Sequence, residues 1–262
     1  MEGITLSHKY KITKLINGGS FCKLYEGIHI YKKQKVAIKC ESSDLGKKVL
    51  DNEINMYMHL KKYKINIPNI KDIGIYENYK YIVMELLNIT IKDYLKPTIS
   101  TKNMESLIYH VFDVIKPFHD RGLVHRDIKP ENFIFDKNWN LYIIDLGLST
   151  FISNRLMRTF IGNNLYASYK CHLSEYIYTQ NDDLRSIVYM LLHLYTGILP
   201  WDKIEMEYSN TYSKFYSDQF HSKSHSIFYN LKKNTNYEDY YKSINKYDEN
   251  IENLIYIYNQ FK

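Results

Sequence analysis

From His125 to Asn132 the chain reads HRDIKPEN, and from Ile143 to Gly147 it reads IIDLG. Asn132 follows Asp127 by five positions, and Asp145 follows Asn132 by thirteen, between short apolar runs. Few sequence features restrict a fold as tightly, because two carboxylates, a carboxamide and a lysine are placed where a phosphoryl-transfer site needs them. Asp127 can accept the proton of an attacking hydroxyl. Lys129 can neutralise charge on a moving phosphoryl group. Asn132 and Asp145 can hold magnesium against nucleotide phosphates. An HRD tripeptide arises easily among turn and surface residues; this order of parts does not.

Further parts of the same apparatus stand upstream. INGGSFCKLYEG, Ile16 to Gly27, reads as a strand–loop–strand whose small residues let backbone N–H groups approach phosphates. The pattern G-x-G-x-x-G-x-V falls on Asn17, Gly18, Gly19, Ser20, Phe21, Cys22, Lys23 and Leu24, with only the middle glycine kept, at Gly19. Asn17 adopts positive φ better than most residues. VAIK follows at Val36 to Lys39. Lys39 is expected to reach the α- and β-phosphates and to need a carboxylate, and Glu53 supplies one from a helical segment. YIVMELL, Tyr81 to Leu87, reads as a strand leading into a hinge. Met84 would stand behind the adenine, and backbone groups of Glu85 to Leu87 would bond it. Ile16, Leu24 and Ala37 would cover the base from above and Ile134 from below.

Turn signals separate three β-like runs at Lys9–Ile16, Lys23–Ile30 and Lys35–Lys39. A helix is expected from about Lys47 to Leu60, with Leu50, Ile54 and Tyr57 on one face. A hairpin is expected around Glu77 and Asn78. Beyond Leu87 the pattern turns helical: Asn103 to about His119, with Pro117 in its last turn, and Asp183 to Tyr195, ending at Gly197. Two weaker helical patterns fill the tail, the last carrying Ile251, Leu254, Ile255 and Tyr258. The first third is β-rich and the remainder α-rich, with a boundary and a ligand cleft expected near Leu87.

The length of 262 residues suffices for two lobes. The formal charge of +6 is spread in short pieces such as the pairs at Lys32 and Lys61, as solvated faces are, so no nucleic-acid partner is indicated. The three cysteines, Cys22, Cys40 and Cys171, are far apart and suggest neither a zinc site nor a disulfide framework. A reducing compartment fits them. No run has the length of a signal peptide core or a membrane span. The 27 tyrosines, with abundant Ile, Lys and Asn, read as the codon bias of an AT-rich genome.

These motifs in this order resemble those of eukaryotic-type protein kinases, and more narrowly the casein kinase 1 group with its viral relatives. GGSFCKLYEG is similar to that group's G-S-F-G-x-I-Y loop. In IGNNLYASYKCHL, Tyr166, Ala167, Ser168, His172 and Leu173 match its G-T-x-x-Y-A-S and H-L signature. NDDLRSIVYMLLHLYTGILPW resembles its R-D-D-L-E-S-L-G-Y helix with G-x-L-P-W. The similarity runs from about Tyr10 to Trp201. It implies the α+β bilobal kinase fold, with a small β-rich lobe over residues 1–87 and a larger helical lobe over 88–262. It implies ATP and Mg2+ as cofactors, protein serine and threonine hydroxyls as acceptors, and a monomer. It implies an intracellular setting, in cytoplasm or nucleus, or in the host cytoplasm or virion for a viral member. Asp183 would be the buried acid that fixes the HRD loop. Arg126 in most kinases pairs with an activation-segment phosphate; the segment here is short, and the resemblance implies activity without such phosphorylation.

The chain departs from the pattern in places. Asn163 stands where the family has a threonine bonded between the catalytic Asp and Lys, and its amide is expected to make similar bonds. Leu146 replaces the Phe of D-F-G. Gln180 and Asn181 occupy the places of an arginine pair that helps form an anion site, which puts phosphate-directed substrate choice in doubt. Lys129 points to Ser/Thr rather than Tyr specificity. The alternative reading is a nucleotide-binding pseudokinase scaffold, favoured by Asn17 and Cys22. Retention of Lys39, Glu53, Asp127, Lys129, Asn132 and Asp145 argues against it. A small-molecule kinase fits the YAS and DDL segments less well.

Overall fold

The computed structural model describes residues 1–18, 22–46, 49–94, 101–203, 218–243 and 249–260. It divides into two compact units, Met1–Thr90 with Phe133–Ser149, and Ile91–Asn132 with Thr150–Lys262.

The first unit is built on a six-stranded antiparallel sheet in the order β1-β2-β3-β4-β6-β5. Its strands are β1 (Thr5–Leu6), β2 (Tyr10–Gly18), β3 (Cys22–His29), β4 (Lys35–Ser42), β5 (Ile70–Tyr76) and β6 (Tyr79–Glu85). Helix α1 (Val49–Leu60) lies between β4 and β5 in the chain. The two-residue period of a strand sends Val36, Ile38 and Cys40 into a core with Leu6, Ile12, Tyr25 and Val83. Gly27 belongs to that packed face: a Cβ there would lie 2.5 Å from Ile38 Cδ1 and 3.0 Å from the Lys11 carbonyl. Directly opposed residues of an antiparallel pair share a face. Leu24 opposes Lys39, Lys39 opposes Ile82, Ala37 opposes Met84 and Cys22 opposes Glu41, so all of these lie on the other face. The expected hairpin forms, with Glu77 turning at φ +50°.

Strands Phe133–Phe135 and Leu141–Ile143 pair with each other, and Ile89–Thr90 joins them through Phe133–Phe135. The Asn66 side chain donates to the Leu141 carbonyl at 3.0 Å, and Ile143 N donates to the Asn66 carbonyl at 3.0 Å. These bonds place Phe133–Ser149 with the first ninety residues, although the helical remainder of the chain surrounds it in sequence.

The second unit is helical: Thr101–His119, Gln180–Thr196, Asp218–Asn234, Tyr237–Ser243 and Glu249–Asn259. Helix Gln180–Thr196 starts three residues before the sequence pattern places it. Asp182 Oδ2 accepts the Thr179 N–H at 2.8 Å, the return bond of a capping box, and also the Thr179 hydroxyl at 3.0 Å. Gly197 ends it at φ +74°. Ile187 to Leu192 are buried on every side. Tyr189 meets Trp201 edge-on at 4.9 Å, and Tyr237 meets Tyr258 at 5.0 Å. Part of the tyrosine excess therefore does packing work, each such pair contributing about 0.5–1.5 kcal/mol beyond area burial. Ile251, Leu254 and Tyr258 face this core as their spacing predicts. Among the described residues, no helix is long and apolar enough to cross a membrane.

Candidate active site

In the first unit the ammonium of Lys39 is held from two sides, by Glu53 Oε2 at 2.6 Å and Asp145 Oδ1 at 2.7 Å. Sheet register aims Lys39 at α1, and the helical period turns Glu53 inward with Leu50, Ile54 and Tyr57. Burial alone lowers the pKa of Lys39, but the charges of Glu53 and Asp145 outweigh it, so the group stays cationic. Asp145 takes a left-handed backbone, φ +59°. Asn52, one position before Glu53, fixes the turn that follows: its Nδ2 donates to the Gly147 and Ser149 carbonyls at 2.9 Å each. Gly147 leaves no space for a side chain, since a Cβ would lie 2.5 Å from Val49 Cγ1. Sequence reasoning missed Asn52, which carries no motif.

Of the residues nominated for the nucleotide, Cys22, Leu24, Ala37, Lys39 and Met84 share one face of the sheet. Asn17 opposes Leu24 and joins them. Ile16 is the extra residue of the β2 bulge and is 45% exposed. Gly18 ends β2. Gly19, Ser20 and Phe21 lie outside the described residues. Burial, with the carboxylates nearby, pushes the Cys22 thiol up to about 12 despite Lys39, which disfavours its thiolate. Glu85 N donates to the Asn69 carbonyl at 3.0 Å, which occupies one expected hinge donor. Leu87 follows the end of β6 and is half-buried, with its N–H and C=O bonded to no described residue. Ile134 is half-buried in its strand, opposite Tyr142 and Thr90.

In the second unit Lys129 Nζ donates to Asp127 Oδ2 at 2.5 Å. Asn132 Nδ2 donates to the Asp127 carbonyl at 2.8 Å and to Asp127 Oδ2 at 3.3 Å. Both bonds use the amide nitrogen, which leaves the amide oxygen for a cation. The loop is held by Asp183, which is fully buried. Its Oδ2 accepts from His125 N at 2.7 Å and His119 Nε2 at 2.9 Å, and its Oδ1 from Arg126 N at 3.0 Å and the Tyr178 hydroxyl at 2.8 Å. Burial raises the pKa of Asp183, but the bond from His119, with the charges and backbone N–H beside it, brings it below the usual carboxylate value. These bonds hold Arg126 at φ +68°, a conformation costly for a residue with a Cβ.

One expectation for this unit is corrected. Asn163 does not reach Asp127 and Lys129, which bond each other directly. Its side-chain oxygen accepts from Leu165 N at 2.9 Å and Tyr166 N at 3.3 Å, because a short amide closes a turn on its own backbone readily. Gln180 is also engaged: its Nε2 donates to the His119 carbonyl. Arginines gather elsewhere. Arg126, Arg155 and Arg158 line a cavity of about 730 Å³ with Thr150, Ser153 and Thr159.

The model of the protein kinase domain family matches residues 10–255, and the chain belongs to that family. The two units carry its α+β fold. The chain is also similar to a casein kinase I homolog of Encephalitozoon cuniculi, with 32% identity over 205 residues, covering 73% of this chain. The match spans 64% of the length of that relative.

Proposed function

We propose that this chain is an ATP-dependent serine/threonine protein kinase of the casein kinase 1 type, transferring the γ-phosphoryl group to protein hydroxyls. The observation that carries the reading is Lys39, gripped by Glu53 and Asp145 at 2.6 and 2.7 Å. A scaffold that had given up catalysis would have no need to keep a cation between two carboxylates. The pseudokinase reading rests only on Asn17 and Cys22, and no contact favours it.

The donor set suits the cofactors of the family. A carboxylate at Asp145 and the amide oxygen of Asn132 are hard oxygen ligands of the kind magnesium takes. Magnesium, when bound, neutralises developing charge on the phosphate oxygens. Lys39 is presented as a fixed cation for phosphate oxygens. The N–H and C=O of Leu87 remain for an adenine edge. Asp127 is oriented by Asn132 and Lys129 to accept the proton of an incoming hydroxyl. Lys129 also supplies positive charge beside the oxygen that is being phosphorylated.

The test is incubation of purified protein with radiolabelled ATP and magnesium over acidic, basic and pre-phosphorylated peptides. Label is expected on serine or threonine. Its absence from every peptide and from the protein itself would overturn the proposal.

A further inference from the structure

Lys232, on the Asp218–Asn234 helix, is fully buried. Its Nζ donates to the Asn164 carbonyl at 2.6 Å and the Ala167 carbonyl at 2.7 Å, and it contacts His172 Nε2 at 3.1 Å. An ammonium carries only donors, so His172 Nε2 accepts. The ring proton of His172 then sits on Nδ1 and donates to His225 Nδ1 at 2.8 Å. Burial and the nearby Lys232 both disfavour a charged His172. The rings of Trp201, Phe228 and Tyr189 flank the ammonium at 5.2, 5.3 and 5.6 Å.

The same loop is tied at other points. Trp201 Nε1 donates to the Leu165 carbonyl at 2.8 Å, and Ala167 N donates to the Asn163 carbonyl at 2.8 Å. The carbonyls of Asn163, Asn164, Leu165 and Ala167 are thus all engaged, and no peptide in the loop can turn over without losing a bond. The loop begins against the catalytic loop. Gly162 has φ +110°, and a Cβ on it would lie 2.5 Å from the Arg126 carbonyl, one residue before Asp127. The loop therefore starts against the residue next to Asp127, and a polypeptide holding a hydroxyl at Asp127 would come within reach of it. Packing a helix needs only an apolar residue at position 232, and burying an ammonium carries a large desolvation cost. The charge is accounted for by the carbonyls it holds.

We propose that Lys232 is a positioning residue for the protein substrate: it fixes the Asn164–Ala167 loop beside Asp127 and so governs how tightly an acceptor peptide is held. This rests on the kinase reading above. The experiment is steady-state kinetics of the full chain and Lys232→Met, with magnesium, ATP and the serine peptide that the wild type phosphorylates best. KM for peptide should rise about tenfold while KM for ATP stays within about twofold. A purely structural loss lowers kcat through the active fraction and leaves the peptide KM unchanged. Lys232→Gln keeps two donors and should give a smaller rise. Unchanged peptide KM in folded Lys232→Met, an equal rise in both KM values, or failure of both variants to fold would overturn the proposal. A wild type that labels no peptide would instead bring down the kinase reading, and this inference with it.

Discussion

Asp183→Asn changes one atom and should cost the second unit much of its stability. The carboxylate accepts four hydrogen bonds, from His119, His125, Arg126 and Tyr178, at 2.7 to 3.0 Å. A carboxamide keeps one oxygen and turns an NH2 group toward donors. Two of the four bonds are lost, and their buried donors are left facing another donor. Bonds to a charged group are worth about 1.5–3 kcal/mol each, so the expected loss is about 3–5 kcal/mol. Urea unfolding followed by Trp201 fluorescence, in a Trp139→Phe background, should show the midpoint falling by about 1–2 M. Trp201 is fully buried in the same unit as Asp183 and reports on it. The effect should also depend on pH. The folded pKa of Asp183 lies below its ordinary value, so the unfolded chain takes up this proton more readily. The contribution is complete above about pH 4 and fades as pH falls through the folded pKa, so wild type and variant should converge in acid. A variant midpoint within about 0.3 M of the wild type at neutral pH would refute the anchoring role.

Asn52→Leu removes the bonds to the Gly147 and Ser149 carbonyls. It should lower kcat/KM for magnesium-ATP about 10-fold or more, from about 1 kcal/mol per bond, with the peptide KM unaltered. Lys39→Met leaves Glu53 buried without its cation, and should lower both kcat and the thermal midpoint of the first unit, measured by calorimetry. Gln180→Arg, the change a family comparison suggests for phosphate binding, should destabilise by about 1 kcal/mol in urea because it removes the bond to the His119 carbonyl.

The β-hairpin around Glu77, helix α1 and the tail stripe were legible because each depends on local period and turn chemistry. The HRD and DLG segments were legible because their chemistry fixes their spacing. Asn52 and Lys232 were not legible. Each acts by donating from a side chain to distant backbone carbonyls, and an Asn or Lys in a helix ordinarily faces water. The early start of the Gln180–Thr196 helix could have been read from Thr179 and Asp182, which have capping-box spacing. Asn163 misled because a family position suggests a long-range partner, while a short amide bonds its own turn at less entropic cost. The grouping of Phe133–Ser149 with the first ninety residues depends on Asn52 and Asn66, and no local signal announces it.

The role of Asp127 as proton acceptor is read from single-turnover phosphate transfer by Asp127→Asn, beside a nucleotide titration of the same protein. Transfer should slow by about 100-fold or more, because the proton acceptor is gone. ATP affinity should stay within about twofold, because Asp127 is assigned to the incoming hydroxyl and not to the nucleotide. Transfer at the wild-type rate, or lost ATP binding in a folded variant, would contradict that assignment.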